Sequence, residues 1–129
     1  MISRRTVLAL SAFASIALSM PAFAGEAAYT KELFQQYQSE GKSILIDISA
    51  PWCPTCRAQA PIIQKLAADA KYKDVEILKI DYDSQADDVA SFGANQQSTL
   101  IAFKGTMETG RNVGQTKVAV ISDLMASSL

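Results

Sequence analysis

Apolar residues recur along this chain with two spacings, and each marks a different kind of regular structure. Leu33, Phe34 and Tyr37 follow Thr30 at helical spacing, with Thr30 placed to cap that helix and Gly41 to close it. Ser43–Ser49 is an isoleucine-rich run of strand length. From Pro54 to Lys71, Ile62, Ile63, Leu66, Ala67 and Ala70 keep a helical period, with Pro61 expected to kink it. Val75–Ile80 reads as a second strand and Ser84–Phe92 as a short helix. Thr99–Lys104 and Glu108–Val113 flank a turn containing Gly105, the pattern of an antiparallel hairpin. Thr116–Ser128 closes the chain as a helix with Val118, Ile121, Leu124 and Met125 on one face. The order α-β-α-β-α-β-β-α predicts an α/β domain. Its first two strands are joined through a helix and should run parallel by a right-handed crossover, while the hairpin adds antiparallel strands. The expectation is a mixed sheet of about four strands flanked by helices.

The first 24 residues break this pattern. Arg4-Arg5 precedes an apolar stretch from Val7 to Met20, and Ala22-Phe23-Ala24 reads as a cleavage site before Gly25. That is the arrangement of a secretory signal peptide, and the stretch is shorter than the roughly 20 residues that cross a bilayer. Ser3–Leu8 is also similar to the twin-arginine export motif, so either the general secretory or the twin-arginine route fits. The expected organisation is a cleaved leader over 1–24 and one domain over 25–129, exported to the periplasm.

Composition narrows the chemistry. The 129 residues are 49% hydrophobic and carry a formal charge of −1, and no basic patch suited to phosphates is visible, so nucleic acid is not an expected partner. Removing Arg4 and Arg5 leaves 10 basic residues against 13 acidic ones. The chain has no histidine, which excludes Ser-His-Asp and Cys-His catalysis and any His-ligated metal.

Both cysteines of the chain lie in Trp52-Cys53-Pro54-Thr55-Cys56, directly after the first strand. Two thiols at this spacing can close into a disulfide within one turn. If the turn opens a helix, the free N–H groups and the helix dipole favour a thiolate at Cys53, the species that attacks disulfides. Cys53 is then the exposed attacking thiol and Cys56, one turn deeper, the resolving one. A purely structural disulfide is an alternative, although a loop of about four residues stabilises by only roughly 2 kcal/mol. A zinc site would need about four ligands, which a dimer of cysteine pairs alone could assemble. No cofactor is implied.

Ile44-Leu45-Ile46-Asp47, Ala50-x-Trp52-Cys53-x-x-Cys56, Pro61, Lys79-Ile80-Asp81, Thr99-Leu100-Ile101-x-Phe103-Lys104 and Val113-Gly114 occur in the order and spacing of thioredoxin. The chain resembles the thioredoxin superfamily over nearly all of Ser43–Leu129, which implies the thioredoxin fold and thiol–disulfide exchange with protein substrates. Cys53-Pro54-Thr55-Cys56-Arg57-Ala58 is similar to the active site of the periplasmic thiol reductases of cytochrome c maturation. Export with a dithiol implies a supply of electrons, with a membrane donor as the expected partner, and a monomer is the expected state. The reverse role, disulfide donor or isomerase, uses the same residues, and a metal- or cluster-binding module is a third reading.

The resemblance also assigns residues. Asp47, in an apolar strand, matches the family's buried aspartate that takes the proton from the second thiol; strand termination or a structural pair with Lys79 would also explain it. Lys79 is the expected countercharge. Trp52, Pro54, Thr55, Ser98 and Thr99 are the expected substrate-contacting residues. Thr55 is uncharged, which implies milder thiolate stabilisation than in strongly oxidising relatives. Three departures stand out: Ser98 occupies the position of the family's cis-proline, Ser49 that of a tryptophan, and no first edge strand is visible before the first helix. A serine at 98 implies a trans peptide before it, and an N–H and an O–H offered towards the sulfurs. The acidic group Asp81, Asp83, Asp87 and Asp88 lacks the glycine and final glutamate of a calcium loop and reads as solvated surface.

Overall fold

The computed structural model describes residues 25–129; the leader expected over 1–24 lies outside them. The elements are β1 (Glu26–Ala28), α1 (Lys31–Ser39), β2 (Ser43–Ser49), α2 (Pro54–Ala67), β3 (Val75–Asp81), α3 (Ala86–Ser91), β4 (Thr99–Lys104), β5 (Met107–Val113) and α4 (Val118–Ser127). They form one five-stranded sheet in the order β1-β3-β2-β4-β5. β1 and β2 each pair parallel with β3, and β4 pairs antiparallel with β2 and β5.

The sheet has five strands rather than about four because the edge strand thought absent is present. Glu26-Ala27-Ala28 has no alternation and little strand propensity, so only its pairing with Ile77, Leu78 and Lys79 makes it a strand. The second helix also differs from its expected span. It runs unbroken through Pro61 but ends at Ala67, and Asp69 turns extended with its carboxylate accepting the Lys71 N–H at 2.9 Å. That cap starts a separate 3₁₀ turn at Ala70–Tyr72. The first helix follows its signals: Thr30 Oγ1 accepts the Leu33 N–H at 3.1 Å, and Gly41 leaves the helix at φ +68°, where a side chain would be strained.

The period of two along β2 divides the core. Ile44, Ile46 and Ile48 pack with Leu78, Ile80, Ile101, Phe103 and Val89 on the α1/α3 side. There Phe34 meets Phe92 and Phe103 edge-on, with ring centroids 5.3 and 5.1 Å apart. Leu45 faces the other way, joining Ile63, Ile77, Leu100, Ile121 and Met125 beneath α2 and α4. Asp47 shares the face of Leu45, so alternation alone turns the carboxylate towards α2 and the cysteines.

Ile46, in the central strand, has no solvent exposure. Its truncation in Ile46→Ala should cost about 2–5 kcal/mol. Urea denaturation will measure this, with the m-value unchanged if the fold is retained.

Candidate active site

The site sits where β2 hands the chain to α2. Cys53 is the N-cap of α2, and its Sγ accepts the Cys56 N–H at 3.1 Å. Pro54 occupies the first turn, where its missing N–H costs no helical bond. Cys53 and Cys56 are joined as a disulfide, with Cα atoms 5.3 Å apart. Contrary to the expected exposure, Cys53 is 1% exposed and Cys56 7%. The sulfurs pack with Ala50 and the half-buried Tyr82, and Ser98 lies against both. The case for Cys53 as the attacking thiol therefore rests on its place at the helix start, not on exposure.

Ser98 Oγ lies 3.1 Å from Cys53 Sγ and 3.2 Å from Cys56 Sγ. Disulfide sulfurs carry no hydrogen, so the hydroxyl is the donor there. The Gln97–Ser98 peptide is trans, and Ser98 is the one non-glycine residue with positive φ among those described, at +62°. Its N–H is not offered to the sulfurs: it donates to Ile48 O at 2.8 Å, while Ser98 O accepts the Gly114 N–H at 2.9 Å. Proline at this position would lose the first bond and cannot take that φ, so Ser98→Pro would test the loop rather than the thiol.

Asp47 is buried beneath this group, and burial pushes its carboxyl up to about 6; the Lys79 charge pulls it down and Glu26 pushes it up. Asp47 and Cys56 line one cavity of about 520 Å³, shared with Arg57, Lys79, Glu26 and Asp81. Lys79 does not close an ion pair on Asp47. It is the register neighbour of Asp47 on β3, but its Nζ sits 3.5 Å from Glu26 on β1. The competing carboxylate belongs to the strand that the sequence did not reveal.

The remaining expected residues separate. Trp52 is 53% exposed, with its indole N–H donating to Asp83 at 2.7 Å, and Arg57 donates to Trp52 O at 3.5 Å. Pro54 is exposed and Thr55 half-buried beside the disulfide. Thr99 is buried, and its hydroxyl donates to Gln96 O at 2.7 Å, which braces the loop before β4. Two contributors escaped the sequence reading. Asp83 looked like solvated surface but fixes Trp52. Gln59, 1% exposed on α2, donates its amide to Gln115 O at 2.9 Å and Ser98 O at 3.4 Å. Its only sequence signal is a polar residue on the helix face that carries Cys56 and Ile63.

The thioredoxin family model matches residues 26–127. The chain belongs to the thioredoxin family. That family is one of thiol–disulfide oxidoreductases with a C-x-x-C pair, here Cys53–Cys56. This thioredoxin-family chain is 39% identical over 71 residues to thioredoxin of Chlamydia muridarum, covering 55% of this chain and 68% of that one. It is 31% identical over 86 residues to thioredoxin H2-1 of Oryza sativa subsp. japonica, spanning 67% of this chain and 61% of that one. Trxlp from Edwardsiella tarda EIB202 superposes with a TM-score of 0.76 at 32% identity, over 78% of this chain and 98% of that one. Protein disulfide-isomerase of Humicola insolens is 30% identical over 95 residues, which span 74% of this chain and only 19% of that protein.

The raised Asp47 carboxyl has a stability consequence. Between about pH 4 and about pH 6 the native carboxyl keeps a proton that the unfolded chain has lost. The unfolded chain then binds fewer protons, so Asp47 makes stability fall as pH rises through that window, by at most about 3 kcal/mol. Asp47→Asn is expected to be more stable than the native protein above pH ~6 and to lose that advantage near pH ~4. Urea midpoints at the two pH values check it, and equal differences at both would contradict the ionisation account.

Proposed function

We propose that this protein is an exported thiol–disulfide oxidoreductase that reduces protein disulfides through the Cys53–Cys56 couple. The observation that carries the reading is Cys53 as N-cap of α2, its sulfur accepting the Cys56 N–H. In the reduced protein the same geometry favours a thiolate at Cys53. That thiolate attacks one sulfur of a substrate disulfide, forming a mixed disulfide and expelling the other sulfur as a thiolate. Asp47 accepts the Cys56 proton through the cavity they share. The Cys56 thiolate then attacks Cys53, releases the second substrate thiolate and closes Cys53–Cys56. Two electrons pass to the substrate, and a donor of two electrons must reopen the pair.

The leader over 1–24 supports the exported part of this reading, and the periplasm is the compartment that Arg4-Arg5, the apolar stretch and the Ala22–Ala24 site suit. There a membrane electron donor would keep the pair reduced, and the protein would act as a monomer. The likeness of Cys53–Ala58 to the cytochrome c maturation reductases favours the reductive direction. A second reading, disulfide donor or isomerase, draws on the similarity to protein disulfide-isomerases. The potential against glutathione separates them: about −270 mV fits a reductase, and about −120 mV a donor.

Trapping assigns the two sulfurs. Cys56→Ser should accumulate mixed disulfides with oxidised protein substrates, and Cys53→Ser should form none, as read on non-reducing gels. Equal or reversed trapping would overturn the assignment. Asp47→Asn should form the mixed disulfide at the native rate but resolve it about 10²-fold more slowly near neutral pH. Unchanged stopped-flow turnover across pH 6–9 would reduce Asp47 to a structural residue.

A further inference from the structure

Gln59 is the one buried side-chain amide residue among those described, and it faces the redox loop. It lies three residues after Cys56 on α2, on the same side of the helix. Its Nε2 reaches two carbonyls on opposite sides of the β4–β5 hairpin, Ser98 just before β4 and Gln115 just after β5. Its Oε1 is buried without a protein partner. A buried unpaired acceptor is unfavourable, and leucine or methionine would avoid it, so core packing alone does not account for an amide here. The two N–H donors are what the side chain contributes.

Their effect falls on Ser98. A serine at φ +62° is held against its own preference and persists only where its surroundings fix it. Three hydrogen bonds do so: Ser98 N–H to Ile48 O, Gly114 N–H to Ser98 O, and Gln59 Nε2 to Ser98 O. Of these, only the last ties the loop to the helix that bears the sulfurs. The hydroxyl so placed lies within 3.1 and 3.2 Å of the two sulfurs. We propose that Gln59 is a positioning residue for the redox couple: its amide locks the Ser98 loop onto α2 so that the Ser98 hydroxyl is aimed at the Cys53–Cys56 sulfurs.

Once the pair is reduced, that hydroxyl donates to the Cys53 thiolate, lowers its pKa and favours the dithiol over the disulfide. Loss of the Gln59 amide frees the loop to relax, the hydroxyl leaves the sulfurs, and the couple becomes more reducing. The inference rests on Cys53–Cys56 acting as a reversible couple. Insulin reduction by the unaltered protein tests that role separately from the equilibrium shifts.

The test is a double-mutant cycle of Gln59→Leu and Ser98→Ala, read by equilibration with glutathione and by the pH dependence of iodoacetamide alkylation at Cys53. Ser98→Ala keeps the side-chain carbon and removes only the hydroxyl. Each single variant should shift the equilibrium constant about fivefold towards the disulfide, ~20 mV, and raise the Cys53 pKa. Gln59→Leu should add less than about twofold in the Ser98→Ala background, because no hydroxyl remains to be positioned. Gln59→Met, unbranched and of similar length, is read in parallel so that the result does not hang on one repacking. A lower melting temperature with the equilibrium constant within about twofold of native would make Gln59 a structural clamp and overturn the proposal. So would the full fivefold shift persisting without the Ser98 hydroxyl.

Discussion

Strand β2 is paired on both sides, with β3 from Ser43 to Ser49 and with β4 from Ser43 to Ile48, and the site depends on that confinement. A strand so held cannot slip, since a shift of one residue would send Ile44, Ile46 and Ile48 to the wrong face. Its register therefore fixes Asp47 on the α2 side. Its last residues deliver the chain to Trp52 and Cys53 at the start of a helix. The same pairing brings Ser98 against the sulfurs, because β4 lies antiparallel to β2 and its preceding residue donates its N–H to Ile48 O. Disulfide, hydroxyl and carboxylate are assembled by one strand and its two neighbours.

The arrangement carries unfavourable terms where the chemistry is. A carboxyl is buried while Lys79, its register neighbour, pairs with Glu26, a serine sits at positive φ, and an amide oxygen lies buried without a partner. Each would be avoided by an alanine, a glycine or a methionine. The two apolar faces of the sheet, packed against the helices on either side, supply the stability that tolerates them. A carboxyl pushed up to about 6 is also one that can accept and return a proton near neutral pH.

Much of the fold was legible because its elements announce themselves locally. Ser43–Ser49 and Thr99–Lys104 appear at the expected bounds, and the Thr30 cap and the Gly41 stop set the first helix. The helix from Pro54 was read too long because Asp69 caps a new turn, and local apolar spacing does not register that change. In the site, the cysteines could be named from their spacing, and Asp47 from its place in an apolar strand together with the resemblance to thioredoxin. Gln59 and Asp83 could not, because a polar residue on a helix or in an acidic loop looks solvated until its partner is known. The bond of the Thr99 hydroxyl to Gln96 O, three residues back, is equally invisible to local pattern.

By itself the sequence determined the alternation of strands and helices, the spacing of Cys53 and Cys56 at a helix start, and the face on which Asp47 must lie. These depend on periods of two and 3.6 and on residues a few positions apart. Tertiary structure alone decided that Glu26–Ala28 is a strand, that its Glu26 draws Lys79 away from Asp47, and that both sulfurs lie covered. It also decided that Gln59 reaches the carbonyl of Ser98. Each of these is a contact between residues tens of positions apart, set by how the sheet and helices stack, and no local pattern encodes it.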